Sequence, residues 1–174
     1  GEGELEAFRK GLDPKYNSRT TSSHQAHNLI PSAGDSLAEN NTLERLSKVI
    51  KEQGEPDFLY GDCYEEIKSS PLYKAARPHN QITRGMITHH QAMVYKRSSL
   101  KDMQYNLEYK LAADYDLTAR FLRTISVAHY CSFPLCIFEA GGLSQINPHI
   151  ARNEEHKIRT RLNLCSPVMR IVIH

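Results

Sequence analysis

Asp114 and Asp116 follow two small residues in the run Ala112-Ala-Asp-Tyr-Asp-Leu117, at the entrance of an expected helix. Unpaired backbone N–H groups favour carboxylates at that point. A cap needs only one of the two, and the alanines leave room for a substrate beside Asp114. Capping and proton acceptance therefore both stand as roles. Upstream, Pro31-Ser-Ala-Gly-Asp-Ser-Leu37 sets Asp35 behind small residues that let backbone approach a ligand closely. An Asx-type turn ahead of a helix accounts for the same residues without function. Thr88-His-His-Gln91 is compact and polar between Met86, Ile87 and Met93, so its side chains should line an interior or a cleft. His90 and Gln91 could hydrogen-bond a sugar or a phosphate there. His89 and His90 alone do not suit a metal site, because neighbours on a strand face opposite ways.

The elements that must position these groups are legible in part. Leu43, Leu46, Val49 and Ile50 share one face of a helix that Asn41 or Thr42 can cap and that ends before Gly54-Glu-Pro56. The apolar run from Asp57 to Asp62 predicts a strand that delivers Asp62 to its end. A helix is expected around residues 98–103. A longer one over 113–125 buries Leu117, Phe121, Leu122 and Ile125. Cys131 to Phe138 reads as a strand broken by Gly141-Gly142, and Pro148 to Leu164 as a helix. Glu4 to Lys10 has the makings of a short helix stopped by Gly11, and residues 13–36 have loop composition. Strands alternating with helices argue α/β or α+β with a mixed sheet.

Composition narrows the function classes. The chain has 174 residues, 40% hydrophobic and 24% charged, which suits one soluble domain with a single core. A net charge of +2 from well-mixed residues gives no field wide enough to track a phosphate backbone, so nucleic acid is not the expected partner. Cys63, Cys131, Cys136 and Cys165 lack C-x-x-C spacing and read as reduced thiols of a cytoplasmic protein. No apolar run reaches the length of a membrane span. Arg152, Lys157, Arg159, Arg161 and Arg170 could touch an anionic membrane surface. A solvated basic face on a terminal helix, followed by a short strand, explains them better.

Taken in order, Ala33-Gly-Asp-Ser36, Leu59-Tyr-Gly-Asp62, Thr88-His-His-Gln-Ala-Met93 with Tyr95-Lys-Arg97, Tyr109-Lys-Leu-Ala-Ala-Asp-Tyr-Asp116 and Phe138-Glu-Ala-Gly-Gly-Leu-Ser144 form a succession. It resembles that of bacterial family 2 glycosyltransferases of cell-surface polysaccharide biosynthesis, of the colanic-acid type. The resemblance covers well over half of the chain. It implies a GT-A (nucleotide-diphospho-sugar transferase) fold, an α/β architecture with a mixed sheet flanked by helices. In such a fold residues 1–36 would be a remnant of the donor-binding part, lacking the opening strand, with 37–147 the acceptor and catalytic part and 148–174 a C-terminal helix and tail.

Carried over residue by residue, the resemblance makes Asp35 the surviving acid of an Asp-x-Asp metal motif that bridges Mg²⁺ or Mn²⁺ to the donor diphosphate. Ala33 stands where the first acid would be, which leaves fewer protein ligands. Asp114 matches the catalytic base and Asp116 its supporting neighbour on the substrate. His90 and Gln91 match an acceptor-side pocket, and Gly141, Gly142 and Ser144 a loop over the donor phosphates. The implied reaction is inverting transfer of a hexose from a nucleotide-diphospho-sugar to a lipid-linked or polysaccharide acceptor, at the inner face of the cell membrane. Exposed sheet edges would also favour a homo-oligomer. The alternative is a non-catalytic remnant of the fold that serves as a binding or assembly module. A metal-dependent hydrolase fits least, because no His-x-x-x-His or similar ligand spacing occurs.

Overall fold

A computed structural model describes residues 27–29, 36–67, 70–139 and 147–164. The elements in chain order are β1 (His27–Leu29), β2 (Ser36–Leu37), α1 (Thr42–Glu52), β3 (Phe58–Ile67) and β4 (Ser70–Lys74). Then come 3-10 turns at His79–Arg84 and His90–Ala92, β5 (Met93–Lys96), α2 (Arg97–Leu100), α3 (Ala113–Leu122), β6 (Ala128–Glu139) and α4 (Pro148–Arg161). One mixed sheet runs β1-β5-β3-β6-β2, with β4 pairing the far half of β3. β3 and β6 are parallel and the other pairs antiparallel. This is the mixed α/β architecture, helices flanking a mixed sheet, that the resemblance implies.

β3 is apolar on both faces because both are covered. Phe58 and Tyr60 join Met93, Tyr95, Tyr115, Leu117, Phe121 and Ile158 in a core beneath α3 and α4. Leu59 and Cys63 face the other way, toward Val94, Phe133, Leu135 and Leu46 of α1. Full burial of each large apolar side chain contributes roughly 1.5–3 kcal/mol. Gly61 is required at the crossing of β3 and β6: a Cβ there would lie 2.7 Å from Leu135 Cγ and 2.8 Å from the Phe133 carbonyl oxygen. The β3–β6 register slips on both sides of Asp62, which lies opposite Pro134, a residue with no N–H to give the ladder.

Several expectations are met and several corrected. α1 spans the expected residues and ends before Gly54, whose φ of +69° suits glycine. Leu43, however, turns outward, and the buried positions of α1 are Thr42 and Leu46. Asn41 stands at the cap position without a side-chain bond, while the Thr42 hydroxyl accepts from the Glu39 N–H at 3.0 Å. α3 stops at Leu122, and α4 stops at Arg161. Asp62 does not end its strand; β3 continues through it to Ile67 and folds back as a hairpin with β4. Within the stretch read as loop, His27–Leu29 and Ser36–Leu37 form strands. The helix expected over Glu4 to Lys10 lies outside the described residues.

Two acids lock the frame. Asp57 accepts from Ser99 Oγ at 2.5 Å and from the N–H groups of Ser126 and Val127 at 3.2 Å each. It thereby ties the start of β3 to α2 and to the approach of β6. The Ser99 hydrogen bond above all holds its carboxyl below the usual range. Glu154 of α4 accepts from three successive N–H groups, those of Lys110, Leu111 and Ala112, at 3.0, 2.8 and 2.9 Å. It thereby fastens the segment that leads into α3 to α4.

Candidate functional site

α3 begins after Ala112, and neither Asp114 nor Asp116 caps it. Glu154 holds the N–H groups of the three residues just ahead of the helix, while Asp114 and Asp116 are engaged with other side chains. Asp114 Oδ2 lies 3.3 Å from His90 Nδ1, and the carboxylate keeps 30% of its side-chain surface exposed. The Tyr105 hydroxyl also hydrogen-bonds it, and burial first, then the Asp114 charge, pushes that phenol well above its usual range. Tyr105 therefore stays a donor. The Asp114 carbonyl oxygen accepts from Thr118 Oγ1 at 2.7 Å, and Thr118 Oγ1 lies 2.8 Å from Tyr95 Oη. A partly exposed carboxylate between an imidazole and a phenol is suited to receive a proton from a hydroxyl brought to its open side.

Asp116 has a different environment. It is fully buried, with Oδ2 accepting from Arg120 Nε at 2.8 Å and Oδ1 bound by the Arg161 guanidinium of α4. Its contacts fasten α3 to α4. Arg159 is buried as well, with its guanidinium 5.9 Å from the Tyr115 ring centroid. Of the basic residues of the C-terminal helix, Arg159 thus lies inside the fold, and Arg161, partly exposed, reaches in to Asp116.

His89 and His90 are not consecutive strand residues. His89 is extended and His90 opens a 3-10 turn, so the two rings lie 4.8 Å apart. His89 stacks on Phe138 at 3.6 Å, and burial, then the neighbouring His90 and Lys74, lowers its pKa to about 3. It stays neutral. Gln91 is buried in the same 3-10 turn as His90, just ahead of β5. His89 lines a cleft of about 470 Å³ together with Lys74, Arg77, Thr88, Ile87 and Phe138. A cleft of that size accommodates a small ligand.

Asp35, Gly141, Gly142 and Ser144 lie outside the described residues. Their chain neighbours are close in the sheet, since Ser36 pairs with Ile137 and β6 ends at Glu139. Among the described residues no three His, Cys, Asp or Glu side chains converge as a metal site. Cys63, Cys131 and Cys136 are buried free thiols, and burial raises Cys131 to about 11. No described helix is long and apolar enough to cross a membrane. Sequence reasoning missed Tyr105 and Glu154, the residues that address Asp114 and its helix start; nothing in their local sequence marks them.

The fold and this pair of groups define a mixed α/β protein with one accessible acid supported at a helix start. No protein-family model matches the chain. Over 119 residues, 67% of the chain, it is 32% identical to the PGL/p-HBAD biosynthesis glycosyltransferase of Mycobacterium bovis, and equally to the protein of that name in Mycobacterium tuberculosis. The alignment covers 46% of those relatives, so the chain spans just under half of their length. The similarity is thus to proteins named as glycosyltransferases, over part of their length.

Proposed function

We propose that the chain carries the acceptor and catalytic part of a glycosyltransferase that moves a hexose, with inversion, from a nucleotide-diphospho-sugar to a lipid-linked or saccharide acceptor. The observation that carries this reading is the Asp114 carboxylate, 30% exposed at a helix start and 3.3 Å from His90. The acceptor oxygen attacks the anomeric carbon, the bond from that carbon to the diphosphate oxygen breaks, and the acceptor proton passes to Asp114. The nucleoside diphosphate departs on the opposite face. Tyr105 and His90 hold the carboxylate in place, and His90, partly exposed, orients the acceptor, with buried Gln91 behind it in the same turn. Asp116 serves at one remove, by fixing α3 through Arg120 and Arg161.

The described residues do not by themselves make a metal site. Mg²⁺ is commonly held by one or two carboxylates together with substrate phosphates, and Asp35 alone meets that requirement. Mg²⁺ or Mn²⁺ there would neutralise the leaving diphosphate. The pairing of Ser36 with Ile137 supports a shared donor end for Asp35 and the Gly141, Gly142 and Ser144 segment. An acceptor on a lipid carrier would bring the protein to the inner membrane face. Calorimetric titration of UDP-sugars and GDP-sugars, with and without Mn²⁺, tests the reading. Metal-dependent binding that is lost in Asp35→Ala is expected, and absence of binding by every donor would overturn it.

A further inference from the structure

Asp62 has no exposed surface, and nothing in the proposed reaction uses it. Its Oδ1 accepts from the Ala76 N–H at 2.8 Å and from the Tyr130 hydroxyl at 2.8 Å, and its Oδ2 accepts from the Tyr73 hydroxyl. Burying a carboxylate is costly, and three hydrogen bonds offset that cost. Two of the three donors belong to surface residues: Tyr73 is 50% exposed and Tyr130 40%. The hydroxyls are therefore turned inward, and the ring surfaces are what solvent meets.

Each exposed ring is backed by a tyrosine of β3. Tyr64 meets Tyr73 edge-on with centroids 5.7 Å apart, and Tyr60 lies 5.5 Å from Tyr130. Tyr60 is fixed in turn by the His79 N–H, which donates to its hydroxyl at 3.1 Å. The hydrogen bond to Asp62 pushes the Tyr73 phenol up to about 12, so it keeps its proton at any ordinary pH. Two exposed aromatic rings with their rotamers already fixed are suited to bind at low entropic cost. Lys74, the neighbouring cation, is engaged by Glu65, which favours a neutral ligand over an anionic one. Tyr60 shares the core with Tyr115, Leu117 and Phe121 of α3, so these rings stand on the face of the sheet that carries Asp114.

We propose that Tyr73 and Tyr130, oriented by Asp62, form a stacking platform for a neutral pyranose ring of a saccharide acceptor. A pyranose offers an apolar C–H face to such rings while its hydroxyls stay in water. The choice of a sugar rests on the transfer reading above.

Methyl glucopyranoside, galactopyranoside and mannopyranoside, with maltose, serve as probes in ligand-proton NMR on the chain. Wild type should shift the ring protons of at least one probe upfield and transfer saturation from tyrosine protons. Tyr73→Ala and Tyr130→Ala should each weaken binding about tenfold or more, with Tyr73→Phe, which keeps the ring and loses its tie to Asp62, in between. Both side chains are largely at the surface, and a thermal melt checks that the variants are folded. No binding by wild type, or equal binding by both alanine variants, overturns the platform. Donor-dependent transfer measured alongside separates the two readings. Tyr73-dependent sugar binding without Asp114-dependent turnover sustains the platform and removes the transfer reading. Turnover with an unchanged acceptor KM in both tyrosine variants does the reverse.

Discussion

Asp116 offers a quantitative test of how the acidic helix start is held. Its side chain is fully buried and bound by Arg120 and Arg161, whose own side chains are 25% and 41% exposed. Removing one partner of a buried ion pair commonly costs about 3–5 kcal/mol. Both guanidinium groups reach solvent here, so part of that penalty is recovered by rehydration, and Asp116→Ala should cost about 2–3 kcal/mol. Asp116→Asn keeps the volume and one acceptor and should cost about 1–2 kcal/mol. Urea unfolding followed by circular dichroism should show a lower midpoint at unchanged slope. Combined with Arg161→Met, the double-mutant cycle should return a coupling of about 1 kcal/mol. A loss below about 0.5 kcal/mol would refute the reasoning. Loss of donor or acceptor affinity at unchanged stability would instead make Asp116 a direct ligand contact.

Three further outcomes follow from the packing. Glu154→Ala leaves the N–H groups of Lys110, Leu111 and Ala112, just ahead of α3, without their carboxylate and should cost about 1–3 kcal/mol by denaturation, with Glu154→Gln recovering part of it. Gly61→Ala drives a methyl group into Leu135 and the Phe133 carbonyl and should cost about 1–3 kcal/mol or more, read as a fall in Tm. His89, lowered from 6.5 to about 3, binds its proton more readily in the unfolded chain. Stability should therefore fall as pH drops through that window, with a slope approaching about 1.4 kcal/mol per pH unit. His89→Gln should remove that part of the slope, as urea midpoints at several pH values would show.

The helices were the most legible part of the sequence, because periodic apolar residues in α1 and α3 are a local signal. Leu43 escaped that rule: it shares the apolar stripe in projection but is 54% exposed in the fold. β4 and β5 were hidden for different reasons. β4 is an exposed edge strand containing Pro71, with no alternation to read, and β5 is only four residues long. Gly61-Asp62 reads as the end of a strand, whereas in the fold the strand runs on, the glycine permits a close strand crossing and the aspartate gathers hydroxyls from Tyr73 and Tyr130. The His90–Asp114 pairing joins two segments that sequence order alone could only juxtapose. Glu154, which meets the chain more than 40 residues upstream, carries no local signature.

The central claim is that Asp114 accepts the acceptor's proton. Transfer measured at saturating donor and acceptor for wild type and Asp114→Asn tests it most directly. A loss of about 100-fold or more in turnover is expected, with donor affinity and unfolding midpoint unchanged. Turnover equal to wild type in the folded variant would contradict the claim and return Asp114 to the role of an ordinary surface acid.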